Sequence, residues 1–425
     1  MKISRNTALL ATAASIAVLT FLFWPAMDQG QSRFFADQTY HFQTLRALNV
    51  IPSGGADTQE VLETIKHIRA GDPQSWFEAW EATGDRVYAL ANNTNDRLSR
   101  GRAYFRAHSY YRTGEFLLLP DDPQRPAAWE KNVTAFYKGL DTLGITYKRI
   151  EVPYGEHHLN AVYYPGPAGA ETKPLIVFVG GFDSTLEELY FALGAAALER
   201  GYSVLTYEGP GQGSVLREQD LPFTHEWEKP NGAVLDTFLQ SHVKPTKIVL
   251  VGMSMGGYLA PRAAAFDERI DGVVAFDVFY DLNGAPQVPN TALWLRDHGF
   301  GFLVNAIIGI RKYLSPGFAW VVDNAMWTTG TKAPLDAFDT FKPYTLENVA
   351  SQIRSDVLIL AGQDDHFVPI EQVEQFEKAL THARSTTSVI YDRESGGAEH
   401  CQLGASTLWH ATFFDWMIEK FPAAS

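Results

Sequence analysis

The run Val249-Leu250-Val251-Gly252-Met253-Ser254-Met255-Gly256-Gly257, followed by an Ala-rich segment, constrains this 425-residue chain more than any other stretch. An apolar strand that ends in G-x-S-x-G and leads straight into a helix puts the serine on a sharp, strained turn. Strand and helix then approach so closely that the positions two before and two after Ser254 must lack a Cβ, and Gly252 and Gly256 meet that need as structural elbow residues. Ser254 becomes the candidate nucleophile. A bare five-residue match is also compatible with a Gly-rich turn of no chemical consequence, so its context has to decide.

That context is an alternation of short apolar runs and helical stretches. Residues 145–152 and 159–164 flank a turn and read as an antiparallel opening hairpin. Residues 175–179, 203–207, 248–251, 272–276, 357–360 and 387–391 are apolar enough to be central strands buried on both faces. The fold class expected is therefore α/β, a mostly parallel sheet with crossover helices, in a catalytic domain over residues 144–425. Before it, residues 35–143 are helical throughout, with apolar spacing of three and four in 58–70, 73–91, 100–118 and 127–143. This helical domain reads as a cap over a site, a scaffold or interaction module being the alternative. Residues 283–350 lack a strand run and carry Trp294, Phe300, Phe302, Trp320 and Trp327, which reads as an inserted lid or as packed core.

A formal net charge of −14 leaves no basic face for a phosphate backbone, so no nucleic-acid partner is expected. Cys401 is the only cysteine, which excludes an intramolecular disulfide. Residues 7–27 are apolar and follow Lys2 and Arg5, so residues 1–34 read as a membrane anchor or a signal segment. The expectation is a single-pass protein with its catalytic domain on the non-cytoplasmic side, or a secreted one after signal cleavage. Asn92 and Asn132 lie in sequons that would then be open to glycosylation. A homodimer is left open.

A serine hydroxyl needs an adjacent base, and the base needs a carboxylate to fix its tautomer. On an α/β sheet these follow the serine in the order acid, then histidine. The strand at 357–360 runs into Ala361-Gly362-Gln363-Asp364-Asp365-His366-Phe367-Val368-Pro369, which supplies Asp365 as the acid with Asp364 as its competitor. A cap for the helix near Pro369 is the plainer role for this pair. After the last strand, Gly396-Gly397-Ala398-Glu399-His400-Cys401 delivers His400 as the general base, with Cys401 as a packing residue. For the oxyanion, Gly180-Gly181-Phe182-Asp183-Ser184 follows the strand at 175–179, so the Phe182 and Met255 N–H groups are the candidate donors. Glu208-Gly209-Pro210-Gly211-Gln212-Gly213 has too few spaced glycines for a dinucleotide and reads as a turn at the site's rim. No metal and no cofactor are called for by this set.

These motifs together resemble the α/β-hydrolase superfamily. Gly180 to Thr185 with Glu187-Glu188, Glu208 to Gly213, Gly397 to Gln402 and the helical segment Arg102 to Arg112 resemble one subgroup in particular. It holds fungal secondary-metabolite hydrolases, including the polyketide-shortening heptaketide hydrolases, and the bacterial 2,6-dihydroxypseudooxynicotine hydrolase. The likeness runs from about residue 70 to the C-terminus. Such hydrolases place the acid three residues after the glycine and four before the proline, which favours Asp365. The resemblance implies a Ser254, Asp365, His400 triad between helical cap and core, acting on a hydrophobic, polyketide-like carbonyl compound at a carbon–carbon or ester bond. Acyl transfer to a polyketide, a serine peptidase of the prolyl-oligopeptidase kind and a non-catalytic binding protein are the alternatives. Glu208, where relatives carry aspartate, and the apolar N-terminal stretch depart from the pattern.

Overall fold

Asp37, Asp57, Asp72 and Asp96 each accept backbone N–H groups at a helix start, which fixes where the N-terminal helices begin. The computed structural model describes residues 34–283 and 289–423. Its first part is α1 (Gln38–Asn49), α2 (Thr58–Ile65), α3 (Pro73–Asn93), α4 (Arg97–Glu115) and α5 (Arg125–Leu143), the last stopped by Gly144 in a left-handed conformation. Trp76, Trp80 and Tyr110 pack at the centre of this layer. Phe105 and Phe136 leave it to pack on Phe191 of the sheet domain, with centroids 5.0 and 5.8 Å away.

The sheet consists of β1 (Lys148–Tyr154), β2 (His157–Tyr164), β3 (Leu175–Val179), β4 (Val204–Glu208), β5 (Ile248–Met253), β6 (Gly272–Phe276), β7 (Asp356–Gly362) and β8 (Ser385–Tyr391). Its order is β1-β2-β4-β3-β5-β6-β7-β8, with β1, β2 and β4 joined antiparallel and the other neighbours parallel. Alternation along β3 sends Ile176 and Phe178 to one buried face and Val177 and Val179 to the other, so the sheet is covered on both sides. Register then decides what meets at the sheet's C-terminal edge. Gly252 pairs with Val179 and with Ala275, and Phe276 pairs with Met253 and with Leu360. The residues that follow β3, β5, β6 and β7 therefore emerge side by side.

Between β6 and β7 lies a helical insertion that includes Asn290–Leu295, Gly301–Leu314, Pro316–Thr329 and Pro334–Thr340. Of its aromatics, Trp320 stacks on Phe116 at 4.2 Å and Trp327 lies under the Arg125 guanidinium at 4.3 Å, whereas Trp294, Phe300 and Phe302 face solvent.

Three expectations are corrected. Among the described residues no helix is long and apolar enough to cross a membrane, against the expectation of a membrane-spanning protein; residues 7–27, on which that expectation rested, lie outside the described part. Asn132, expected to be open to glycosylation, is 0% exposed inside α5. Residues 387–391 belong to β8, an edge strand with Ile390 52% exposed, rather than a strand buried on both faces.

Candidate active site

Ser254 stands between β5 and the helix Gly256–Phe266 with φ +60°. That left-handed conformation is costly for any residue with a side chain, and it aims the hydroxyl away from the sheet. The packing that enforces it is visible in two glycines. A Cβ on Gly252 would sit 1.9 Å from the Gly256 carbonyl oxygen, and one on Gly257 would sit 1.8 Å from the Asp277 carbonyl oxygen. Gly256, expected to share the role of Gly252, is less tightly held, its nearest contact for a Cβ being 3.0 Å. Gly257 adds to the constraint, and Gly256 keeps a share of it, because 3.0 Å to the Gly180 and Val179 carbonyl oxygens is closer than ordinary van der Waals contact. The Phe276 carbonyl accepts the Ser254 N–H, which ties the turn to the end of β6.

The Ser254 hydroxyl lies 2.8 Å from His400 Nε2, and His400 Nδ1 lies 2.6 Å from Asp365 Oδ2. Both side chains of the second bond are almost fully buried. Asp365 Oδ1 meanwhile accepts the Phe367 and Val368 N–H groups at 2.7 and 2.9 Å, so the turn after β7 holds the carboxylate in place. Asp364 points the other way and pairs with Arg393 at the surface. Burial opposes charge on Asp365, but the His400 imidazole beside it keeps its carboxyl below the usual range. Burial likewise opposes charge on His400, and Asp365 outweighs it, leaving the imidazole pKa well above 6.5. His366, next to Asp365, is lowered to about 4 by burial and stays neutral.

Phe182 and Met255 both line a cavity of about 380 Å³ that reaches Ser254 and His400. Gly181 is pressed against the elbow, since a Cβ there would meet Met255 N at 2.9 Å. A residue outside the expected set holds this loop. Gln212 Nε2 donates to the carbonyls of Gly180 and Gly181, each at 2.9 Å, while its Oε1 accepts the Gly209 N–H. The Glu208-Gly209-Pro210-Gly211-Gln212-Gly213 turn is thus a clamp on the loop beside Ser254. Glu208 fits because Gly213 leaves room for its carboxylate, which accepts the Leu186 and Ser214 N–H groups at 2.8 and 2.9 Å.

Three parts of the chain wall the cavity: α1 through Phe42 and Arg46, the sheet's C-terminal edge, and the insertion through Val304, Ile308 and Trp320. The walls are mostly apolar. The exception is an ion-pair cluster in which Arg46 from α1 bonds Asp183 at 2.5 Å and Glu188 at 2.5 Å, joined by Arg112 from α4 at 3.1 Å from Glu188. This cluster ties the N-terminal helices to the loop after β3. Nothing in the sequence paired these residues, whose separations exceed a hundred positions for Arg46.

Donor atoms of Asp277, His400 and Cys401 lie within 4.8 Å of one another. They suit a proton-sharing network better than a cation. Burial and the neighbouring Asp365 hold the Asp277 carboxyl well above its usual range, and burial raises the Cys401 thiol, so two of the three donors keep their protons. Asp277 too was missed from sequence, although an acid directly after the apolar strand 272–276, at the edge where Ser254 emerges, is the signal that could have found it.

Comparison with known proteins places this arrangement. Residues 176–401 match the family described as alpha/beta hydrolase. The chain is 33% identical to Hydrolase acrC of Aspergillus aculeatus over 92% of its own length and 98% of the relative's. It is 32% identical to the 20-hydroxy-prefusarin hydrolase FUS2 of Gibberella moniliformis, again over 92% and 98%. The crystal structure of the 2,6-dihydroxy-pseudo-oxynicotine hydrolase superposes with a TM-score of 0.68 at 20% identity, covering 88% of this chain and 96% of that one, a likeness of fold.

Proposed function

The chain belongs to the alpha/beta hydrolase family, and from that premise we propose that it is a serine hydrolase that cleaves a hydrophobic carbonyl compound, polyketide-like, at a carbon–carbon or ester bond. The observation that carries the reading is the continuous contact from Asp365 through His400 to Ser254, opening onto a mostly apolar cavity. His400 Nε2 takes the Ser254 proton as Oγ attacks the substrate carbonyl. The Phe182 and Met255 N–H groups hold the resulting oxyanion. Collapse of that intermediate breaks the bond to the leaving group, an alkoxide or an enolate, which takes the proton back from His400. Water then frees the acyl group by the same route. Asp365 keeps Nδ1 protonated throughout, so that Nε2 is the atom free to accept.

In this reading α1–α5 are a cap that closes the cavity from above, and the insertion after β6 is a lid. A relative whose name specifies a 20-hydroxy-prefusarin substrate supports a small organic compound over a peptide.

The apolar walls set a test. With about 0.8 kcal/mol per buried methylene, kcat/KM on p-nitrophenyl esters should climb several-fold for each carbon added to the acyl chain until the cavity is full. An aryl 1,3-diketone should be cleaved as well. A flat ester series, or a preference for acetate, contradicts a hydrophobic substrate.

The His400 environment sets a second. Imidazolium cannot accept the serine proton, so activity is lost as pH falls through the His400 pKa. Burial works against that charge and Asp365 overcomes it, so kcat/KM should reach half its plateau at a pH above 6.5, the ordinary histidine value. The same raised pKa stabilises the fold below the unfolded-state value and loses that contribution as pH rises through the folded one. Activity and the His400 contribution to stability therefore run in opposite directions. A half-plateau at or below the ordinary value contradicts the assignment.

A further inference from the structure

The end of β6 serves both halves of the site. Its Phe276 carbonyl accepts the Ser254 N–H, and its Asp277 carbonyl occupies the space that only Gly257 leaves open, so this strand end sets the elbow. The Asp277 side chain turns to the other half. It accepts the Cys401 N–H at 2.7 Å and the Gln402 Nε2–H at 3.2 Å, and its Oδ2 lies 3.5 Å from His400 Nδ1. The triad chemistry leaves this buried group unused.

Two carboxyls therefore meet at one imidazole nitrogen, Asp365 Oδ2 at 2.6 Å and Asp277 Oδ2 at 3.5 Å from His400 Nδ1. In a dry site a pair like this holds one proton between its members, because both cannot be ionised. Asp365 has the stronger claim on the negative charge, with three donors at 2.6, 2.7 and 2.9 Å. Asp277 has two, at 2.7 and 3.2 Å. Burial and the Asp365 charge also push the Asp277 carboxyl well up. The other titratable groups facing it are His400 and Cys401 from the loop after β8, with Tyr391 of β8 behind them.

We propose that Asp277 is a positioning residue: a protonated carboxyl that donates to Asp365 and accepts from Cys401 and Gln402, holding the His400 loop in register with the Ser254 elbow. This rests on the reading of Ser254, Asp365 and His400 as a triad. A neutral donor to Asp365 draws charge away from the imidazole, so its removal strengthens the imidazolium, whereas removal of an ionised Asp277 would weaken it.

The test is the titration of the low-field His400 Nδ1 proton by NMR on the full chain, assigned by its loss in His400→Gln, alongside kcat and KM. In Asp277→Ala the midpoint should rise by about one pH unit. In the same variant kcat should fall between about tenfold and 10²-fold, with KM little changed, as the imidazole loses its placement. Asp277→Asn still offers an N–H to Asp365 but loses one of the two acceptors that hold Cys401 and Gln402, so it should restore the midpoint and recover kcat only in part. A midpoint that falls in either variant, or Asp277→Ala indistinguishable from the parent, overturns the proposal. Should Asp277→Ala not fold, the isosteric Asn variant decides alone: an unchanged midpoint supports it and a fall overturns it. Because the NMR titration needs no turnover, its failure is separable from that of the triad, which retained activity in Ser254→Ala would reveal.

Discussion

Ser254→Ala should lower turnover by roughly 10⁶-fold, the scale on which loss of a triad serine is felt, equal to about 8 kcal/mol of transition-state stabilisation. The fold should survive. Alanine takes the φ of +60° at the same cost as serine, and the backbone bond from residue 254 to Phe276 does not involve the hydroxyl. Thermal unfolding of the variant within a few degrees of the parent, together with turnover at the background rate, is the expected pair of results. Activity retained at even a hundredth of the parent level would remove Ser254 from the chemistry.

The second large effect separates two adjacent carboxylates. Asp365→Asn keeps an acceptor for the Phe367 and Val368 N–H groups, but it presents an amide N–H to His400 Nδ1 and forces the wrong tautomer. A loss of about 10⁴-fold in kcat is expected. Asp364→Asn removes only a carboxylate that pairs with Arg393 at the surface, an interaction whose typical contribution is below about 1 kcal/mol, so its kcat should stay within a few-fold of the parent. Measuring both variants at one pH on the plateau of the profile checks the pair. The reverse order of losses would hand the acid's role to Asp364.

Much of this was legible in the chain because the relevant signals are local. The apolar run at 248–251 and the glycines around Ser254 are consequences of one close strand-to-helix approach, so steric need is written directly into residue type. Each of β3 to β7 was recognisable because burial on both faces admits few polar residues, and β8 was misplaced in the sheet because an apolar run does not reveal how many neighbours its strand has. The sequon at Asn132 misled for a similar reason: three residues cannot report that the helix carrying them turns that face inward. What stayed hidden depends on distant pairings. Gln212 clamping Gly180, Arg46 meeting Glu188, and Asp277 meeting the loop at Cys401 are separated by 32, 142 and 124 positions, and only the packing of helices and loops on the sheet brings them together.

A fluorophosphonate probe followed by intact-mass and peptide analysis tests the central assignment most directly. Ser254 as a nucleophile activated by His400 predicts one adduct, on the peptide that contains Ser254, formed in the parent and lost in His400→Ala. An adduct on another residue, or labelling of Ser254 that proceeds equally well without His400, would contradict it.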